Sequence, residues 1–567
     1  MEADAHLETP ETPPAEAPVP GYHRRSAHRF EAYAAGPGSL DWEAQPAAFR
    51  HYPGCPVVLL PLVDTCLAQA PGGALRGALV RPFVQLGEGA AIAPGLDSLG
   101  ALLQLALGLT AWKRLGPDRW AVRANPSSGN LHPVEAWVIT CGWPGLGDGV
   151  HHYRPDDHAL ELRAADAPDQ TSAEPRLFIA LSSVMWREAW KYGERAFRYC
   201  QLDVGHALGA LRYAAAVLGW DLVEQRHIGH ATLAARLGLD RIEEYPARRD
   251  PATEREEPEV LLAVGIGGEP PPGSAAALRE ACAAASWFGS ASTIDRHPMY
   301  RWPIVSEVAE LTRRGDATIA MTPAQTRRTG RVEGEREGVS AAALILHRRS
   351  AQRFDAAHVM PLEGLCALLD ALDVDARVPL DVLAEQRCID LLLFIHRVEG
   401  MAAGLYLFRR DPRAALPPAL AQAFPERCAE PALAGRLLRF RQEAAPQALK
   451  RIARSLHCHQ DLASSGCLAI GMLAPLDAAL DADPAAYRDL HRAAGLLGQC
   501  LYLNAEAQGL RGTGIGCFFD EPVGEIAGLA GSGLRPLYHF TIGRALDDPR
   551  IETTPAYAGR TTDETYP

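Results

Sequence analysis

A chain of 567 residues with 56 lysines and arginines against 69 aspartates and glutamates carries a formal net charge of −13. That balance argues against a surface that coats nucleic acid and makes each arginine cluster a local feature needing its own explanation. Hydrophobic residues at 47% and charged residues at 22% describe a soluble globular protein with ample core, and no stretch reaches the ~18 uninterrupted apolar residues of a membrane span.

In chain order, residues 1–20 are acidic and rich in Pro and Ala, with no basic or apolar region of a signal peptide, and are expected to be a disordered tail. His23-Arg24-Arg25-Ser26-Ala27-His28-Arg29-Phe30 follows and returns as His347-Arg348-Arg349-Ser350-Ala351-Gln352-Arg353-Phe354, changed only at His28 against Gln352. A separation of 324 residues lies far beyond the ~20 to 50 of stacked solenoid repeats, so each copy heads a domain-sized unit of a tandem duplication. Two related domains in one polypeptide imply an intrachain pseudo-dimer. A site that identical subunits would build between them is then built from unequal halves.

The first unit is expected over residues 21–270 and closes on the apolar run Glu259–Gly267, which reads as a buried strand. A connector follows over 271–340, Pro-rich at first, helical around Ile304 to Arg314 and polar from Thr326 to Gly338. The second unit spans 341–553 and closes on the strand-like Pro536–Arg544, and 554–567 form a C-terminal tail. Each unit carries a long Ala/Leu helix before its closing strand, the first including Gly205–Gly219 and the second including Ala494–Ala505. Small residues at helical spacing, with Gly209 and Gly498 each four residues before a Tyr, place these helices in the core or at the contact between halves. His206 in the first reads as either a satisfied structural histidine or a base.

Twelve cysteines are scattered singly from Cys55 to Cys517 with no CxxC pair, so neither a zinc ribbon nor a disulfide framework is indicated, and a reducing, cytoplasmic home is expected. His457-Cys458-His459 is the one tight His/Cys cluster, and it lacks the further ligands of a recognisable zinc site. No metal is expected.

Three elements carry chemistry. Arg-Arg-Ser-x-x-Arg-Phe heads each half, and guanidinium forks, a hydroxyl and backbone amides near a helix start suit a phosphate ester; a charged helix start is the plainer alternative. Asn125-Pro126-Ser127-Ser128-Gly129-Asn130-Leu131-His132-Pro133 presents donors and acceptors from a rigid turn, suited to the edge of a planar heterocycle, before the strand-like Val134–Ile139. Without a ligand it is an ordinary polar turn. Trp190-Lys191-Tyr192-Gly193-Glu194-Arg195 is the third, readable as an amphipathic helix end.

The segments "RRSAQRF", "PSSGNLHPVEAWVI", "GLRGTGIGCFFDEPVGEIAGL" and "LYHFTIGRALDDPR" together resemble the FMN-dependent nitroreductase superfamily, over most of both halves. Within it, "PSSGNLHPVEAWVI", "GVHHYRPDDHALEL" and "WREAWKYGERAFRYCQLDVGH" are similar to the SagB-type branch, which includes thiazoline/oxazoline dehydrogenases. The resemblance implies an α+β fold of two fused nitroreductase-like domains, each a mainly antiparallel sheet wrapped by helices, with FMN held between them. It also implies proton transfer by the catalytic pair Lys191 and Tyr192. Adjacent helical residues point about 100° apart, so both face one site only near a helix end, which Gly193 permits.

The resemblance distributes the cofactor contacts unequally. Arg348, Arg349, Ser350 and Gln352 would hold the phosphate and ribityl end, with Arg544 or Arg550 as an extra cation. Pro126, Ser127, Ser128 and Asn130 would line the isoalloxazine from the other half, and amides around Gly514 and Gly516 would face its N5 and O4 region. The second half has neither a matching turn, showing Ala384 to Asp390 in its place, nor a Lys-Tyr pair. One FMN per chain is therefore expected, the mirror site at Arg24, Arg25 and Ser26 being vestigial. Gly512-Thr513-Gly514-Ile515-Gly516 is GxGxG after an apparent helix and does not meet the dinucleotide fingerprint; NAD(P)H, if used, would dock transiently as reductant. Three activities stay open: dehydrogenation of an azoline-like ring in a small molecule or modified peptide, NAD(P)H-dependent reduction of a nitro group or quinone, and a flavin-binding scaffold in a peptide-modifying complex.

Overall fold

The computed structural model describes residues 18–68, 72–166, 174–270, 272–317, 338–375, 378–428, 430–442 and 445–560. Two antiparallel sheets carry the fold. In the first, the spatial order is Val57–Leu59, Ala159–Ala165, Gly149–Arg154, Val134–Cys141, Arg176–Ser183, Glu257–Ile266 and Trp220–Glu224, and Ser286–Trp287 adds to Ala159–Ala165. In the second it is Glu426–Arg427, Leu437–Arg439, Gly404–Phe408, Asp390–Ile395, Leu468–Ala474, Arg535–Gly543 and Arg511–Ile515. In both, the closing strand lies between the strand that precedes the long helix and the strand that follows it. The closing strands are buried along nearly their whole length because helices cover both faces, which is why they read as unbroken apolar runs rather than alternating ones.

The two long helices are Ala196–Val217 and Ala486–Ala507, 22 residues each, and they pack on one another at the centre of the molecule. Each has almost no exposed residue, so neither shows an amphipathic stripe. One continuous core runs through both halves, joining Leu202, Leu208 and Leu211 of one helix to Leu496, Leu497 and Leu503 of the other. The second helix runs inside the protein from its first turn, because Arg488 and Arg492 are buried against Glu257 and Glu259.

Four expectations need correction. Residues 18–20 are not tail: Pro18–Arg25 is a helix whose Val19 and Tyr22 are buried, while residues 1–17 lie outside the described residues. Thr554 to Arg560 are not tail either. Glu552–Thr554 adds as a strand to the hairpin Leu109–Leu115/Asp118–Arg123 of the first half. The Tyr557 hydroxyl then accepts the Leu109 N–H (2.9 Å) and donates to the Pro155 carbonyl (2.8 Å). Third, the connector carries structure where it is described: Ala275–Ala284 and Pro303–Leu311 are helices and Ser286–Trp287 joins the first sheet, whereas residues 318–337, with most of the polar stretch from Thr326 to Gly338, lie outside the described residues. Fourth, the Arg-Arg-Ser segments do not open helices. Arg24 and Arg25 end Pro18–Arg25, and Arg348 follows Ala341–His347. Basic side chains there complement the carbonyl end of the helix dipole, so helix-start amides cannot serve an anion at either segment. Among the described residues no helix is long and apolar enough to cross a membrane.

Candidate functional site

A cavity of about 330 Å³ opens where the halves meet. The hairpin of the first half gives it Lys113, Trp120 and Val122, and the turn after that hairpin gives it Pro126, Ser127, Ser128, Gly129 and Asn130. The second half contributes Arg348, Arg349, Ser350 and Gln352 from the segment behind Ala341–His347, and Gly514, Gly516 and Cys517 from the strand Arg511–Ile515 and the loop beyond it.

Three cations stand together here. Arg348 is 3% exposed; its Nε and Nη2 donate to the carbonyls of Ala124 (3.1 Å) and Arg123 (3.0 Å), and its Nη1 has no partner. Arg349 spends its donors on the carbonyls of Leu346, Arg348 and Thr110. Burial, and then the neighbouring Arg348 and Arg511, press Arg349 down to about 10; burial and the Arg349 and Arg511 charges lower Lys113 as well. Among the described residues no salt bridge neutralises Lys113, Arg348 or Arg349. Arg348 is buried and Lys113 and Arg349 are half-buried, and the Glu506 carboxylate offsets the two arginines only from beyond salt-bridge distance; mutually repelling cations without an ion pair of their own make a site that an anion stabilises.

The turn is fixed internally. Gly129 (φ 60), Asn130 (φ 61) and His132 (φ 52) are all left-handed. The Asn130 amide donates to the Ala121 carbonyl (2.9 Å) and pairs with His132 Nε2 (3.1 Å), and the Ser127 hydroxyl accepts the His132 N–H (2.8 Å). Ser128 turns to a buried carboxyl: its N–H and hydroxyl reach Asp203 at 3.1 Å. Burial outweighs those hydrogen bonds and lifts Asp203 to about 7. Tyr199, Asp203 and His206 all face the cavity from the helix Ala196–Val217. Their i, i+4, i+7 spacing is the signal that could have found them in the sequence, where only His206 was singled out. His206 bonds the Tyr538 hydroxyl through Nε2 (3.0 Å), and burial lowers it to about 3, so it is neutral.

Lys191 and Tyr192 end the helix Met185–Tyr192, which stops at Gly193 with φ 57. That stop resolves the angular problem of adjacent helical residues: a β-carbon at Gly129 would stand 2.6 Å from the Tyr192 hydroxyl and 2.9 Å from Lys191 Nζ. Both reactive atoms therefore converge on the turn. Lys191 is lowered by burial against the opposing pull of Glu188, and Tyr192 is raised by burial and by Glu188. Glu188 itself is buried with neither carboxyl oxygen hydrogen-bonded, and burial, with the nearby Asp203, raises it well above the usual carboxylate range. Tyr192 and Tyr199, rings 4.4 Å apart, line both this cavity and a second one of about 330 Å³ that Lys191 and His28 also face.

Other expected residues are placed differently. Gly512, Gly514 and Gly516 are glycines because rings fill their side-chain positions: a β-carbon would lie 2.3 Å from the Phe540 ring, 1.7 Å from the Tyr538 hydroxyl and 2.1 Å from the Tyr199 ring. The Gly514 N–H is taken by the Tyr502 hydroxyl (2.9 Å), which also bonds the Ser350 hydroxyl (2.9 Å). Arg544 and Arg550 stand outside the cavity wall. Arg544 is exposed where the chain leaves its strand, and Arg550 is exposed and paired with Asp548. Lys113, in the hairpin, is the cation found in their stead.

At the first Arg-Arg-Ser segment the protein's own charges engage the residues that would mirror the site, although a cavity of about 350 Å³ lies beside His23, Arg24 and Ala27. Arg195 and Arg198 both donate to the buried Asp520, Arg198 Nε also donates to the Ser26 hydroxyl (2.9 Å), and Arg25 pairs with Glu194.

No family model matches the chain. A protein of Methanocaldococcus jannaschii that bears the name nitroreductase is 28% identical over 135 residues, which is 22% of this chain and 64% of that relative, so the match spans less than two thirds of the relative's length. The crystal structure of a protein described as a nitroreductase from Anabaena variabilis superposes with a TM-score of 0.65 at 21% identity, covering 94% of this chain and all of that one. A second such structure, from Ralstonia eutropha, covers 36% of this chain and 82% of its own at 21% identity, with a TM-score of 0.24. The Anabaena likeness over both halves shows a nitroreductase fold.

Proposed function

We propose that the chain is an FMN-dependent oxidoreductase of the nitroreductase superfamily with one flavin site per polypeptide, a tandem duplication acting as its own dimer. The observation that carries the reading is the cluster of Lys113, Arg348 and Arg349, none of them in a salt bridge among the described residues, in the same cavity as the Pro126–Asn130 turn. It is a cavity of small-ligand size built for a molecule with a phosphate and a planar polar body. Arg348, Arg349 and Lys113 would hold the phosphate, and Ser350 and Gln352 the ribityl hydroxyls. The turn Pro126 to Asn130 and the Gly514 to Gly516 segment would flank the ring system. FMN supplies, when bound, an acceptor or donor of hydride. The shared strand order of the two sheets supports the duplication, and the Asp520 ion pairs support a mirror site without flavin.

The direction we favour is dehydrogenation in the SagB manner. Convergence of Lys191 Nζ and the Tyr192 hydroxyl on Gly129 supports it, since a lysine whose ammonium is disfavoured by burial can take a proton from a substrate carbon. The substrate would be an azoline-like ring in a small molecule or a modified peptide. NAD(P)H-driven reduction of a nitro group or quinone would use the same flavin without needing Lys191. Twelve free thiols suit a reducing, cytoplasmic setting.

Flavin content of the purified protein tests the site. One FMN per chain is expected, lost in Arg349→Ala and kept in Arg25→Ala. Two flavins per chain, or loss with both variants, would withdraw the division of labour between the halves.

A further inference from the structure

Three residues far apart in sequence meet beside the cavity: His28, Cys458 and Cys517 bring one ring nitrogen and two sulfurs within 4.8 Å of one another. Cys517 lies in the cavity wall next to Gly516, and His28 faces the second cavity across Tyr199. The loop after Pro446–Leu456 presents Cys458, where Cys458 (φ 51) and His459 (φ 60) are both left-handed, a costly backbone for side-chain-bearing residues. Neither thiol is bridged and neither is sealed from solvent.

A ring nitrogen and two sulfurs invite a metal, but the hydrogen bonding of His28 opposes one. Its Nδ1 accepts the Ala34 N–H at 2.9 Å, so in the neutral ring the proton is on Nε2, which is left to donate toward the sulfurs. A metal-bound imidazole has the reverse arrangement, donating its remaining N–H to an acceptor. The surrounding charges favour sulfur chemistry. Cys458 donates its S–H to Cys517 and His28 assists, lowering the Cys517 thiol to about 5 in spite of burial, while Cys458 is raised and keeps its proton. Arg195 adds positive charge, with its Nε unpartnered and its other donors on Ser26, Gly516 and Asp520. Asp520 opposes this by raising Cys458, and the neighbouring Tyr33 and Tyr199 are neutral.

We propose that Cys458 and Cys517 form a redox-active dithiol, with Cys517 as the attacking thiolate, that reduces small organic disulfides entering from the cavity. The Cys517 thiolate attacks one sulfur of RSSR; the S–S bond breaks, RS⁻ leaves, and a mixed disulfide forms on Cys517. Cys458 gives up its proton and attacks the Cys517 sulfur, releasing the second RS group. The net change is oxidation of two cysteines to one disulfide and reduction of RSSR to RSH and RS⁻, with the proton of Cys458 carried by a departing thiolate. Exchange of this kind needs a low-pKa thiolate beside a resolving thiol, and it takes no electrons from a flavin.

The experiment uses the full-length protein incubated with oxidised glutathione and mapped by peptide mass spectrometry under acid quench. The wild type is expected to accumulate a Cys458–Cys517 disulfide reversed by dithiothreitol, Cys458→Ser a stable glutathione adduct at Cys517, and Cys517→Ser no adduct at Cys458. Iodoacetamide alkylation of Cys517 should have a midpoint near pH 5, displaced upward in His28→Gln. Thermal unfolding of each variant separates loss of fold from loss of exchange. Modification confined to the exposed Cys388, or stoichiometric zinc bound at these residues in equilibrium dialysis with Zn²⁺ and lost in Cys517→Ser, would overturn the proposal.

Discussion

Gly205 and Gly495 face each other where the two long helices cross, so close that a β-carbon at Gly495 would stand 3.1 Å from the Gly205 α-carbon and 2.1 Å from the Leu202 carbonyl oxygen. The obstruction is backbone, which cannot swing aside. Gly495→Ala is therefore expected to destabilise by more than the ~1–3 kcal/mol typical of overpacking. Gly524→Ala, whose new methyl meets nothing within 4 Å in the helix Asp520–Ile526, is expected to stabilise by about 0.4–1 kcal/mol. Denaturant unfolding of the two variants checks the contrast, and equal effects would contradict the close crossing.

Asp203 gives the protein a pH-dependent stability of definite sign. Its folded value of about 7 lies above that of an unfolded aspartate, so the folded state binds the extra proton. The contribution is fully present below about pH 4 and is lost as pH rises to about 7, at up to ~1.4 kcal/mol per pH unit. Asp203→Asn should flatten the stability of the protein over that window. An unchanged slope would show that Asp203 is ionised throughout.

His152 titrates higher. Its burial favours the neutral ring, but hydrogen bonds to Glu135 (3.3 Å) and Glu161 (3.0 Å) and their charges raise it to about 9. Stability from this pair of contacts is complete below about pH 6.5 and disappears as pH passes 9. His152→Gln should cost most near pH 6, on the order of 3 kcal/mol for breaking a buried ion pair, and less near pH 10.

The segment from Glu552 to Arg560 braces the cavity hairpin: besides the strand pairing, Trp112 Nε1 donates to the Ala556 carbonyl (3.1 Å). Truncation after Ile551 is expected to leave the core folded while loosening Lys113 and Trp120. Flavin affinity, read by fluorescence titration, should weaken at least tenfold; unchanged affinity would remove the hairpin from the site.

Lys191→Ala should lower azoline oxidation by ~10²- to 10⁴-fold, the usual share of general base catalysis, with flavin content unchanged. NAD(P)H-dependent reduction should fall far less. Equal loss in both assays would assign Lys191 to binding rather than to proton transfer.

The amino-acid sequence by itself showed the eight-residue repeat at His23 and His347. It marked the long helices and closing strands through their apolar runs, and the small-residue helix contact through its glycines. Those are local or repeated patterns, written residue by residue. It also marked Pro126–Asn130, Arg348–Gln352 and Tyr192, which share one cavity wall. Only the tertiary structure decided that Lys113 and not Arg544 or Arg550 completes the cation cluster, because a hairpin in one half and a segment in the other meet through long-range packing. It alone placed Cys458 and Cys517 beside His28, and put Asp520 against Arg195 and Arg198. Charge and thiol pairings of this kind depend on distances in space that sequence separation does not encode, and the low polarity of the interior where they meet sets their protonation.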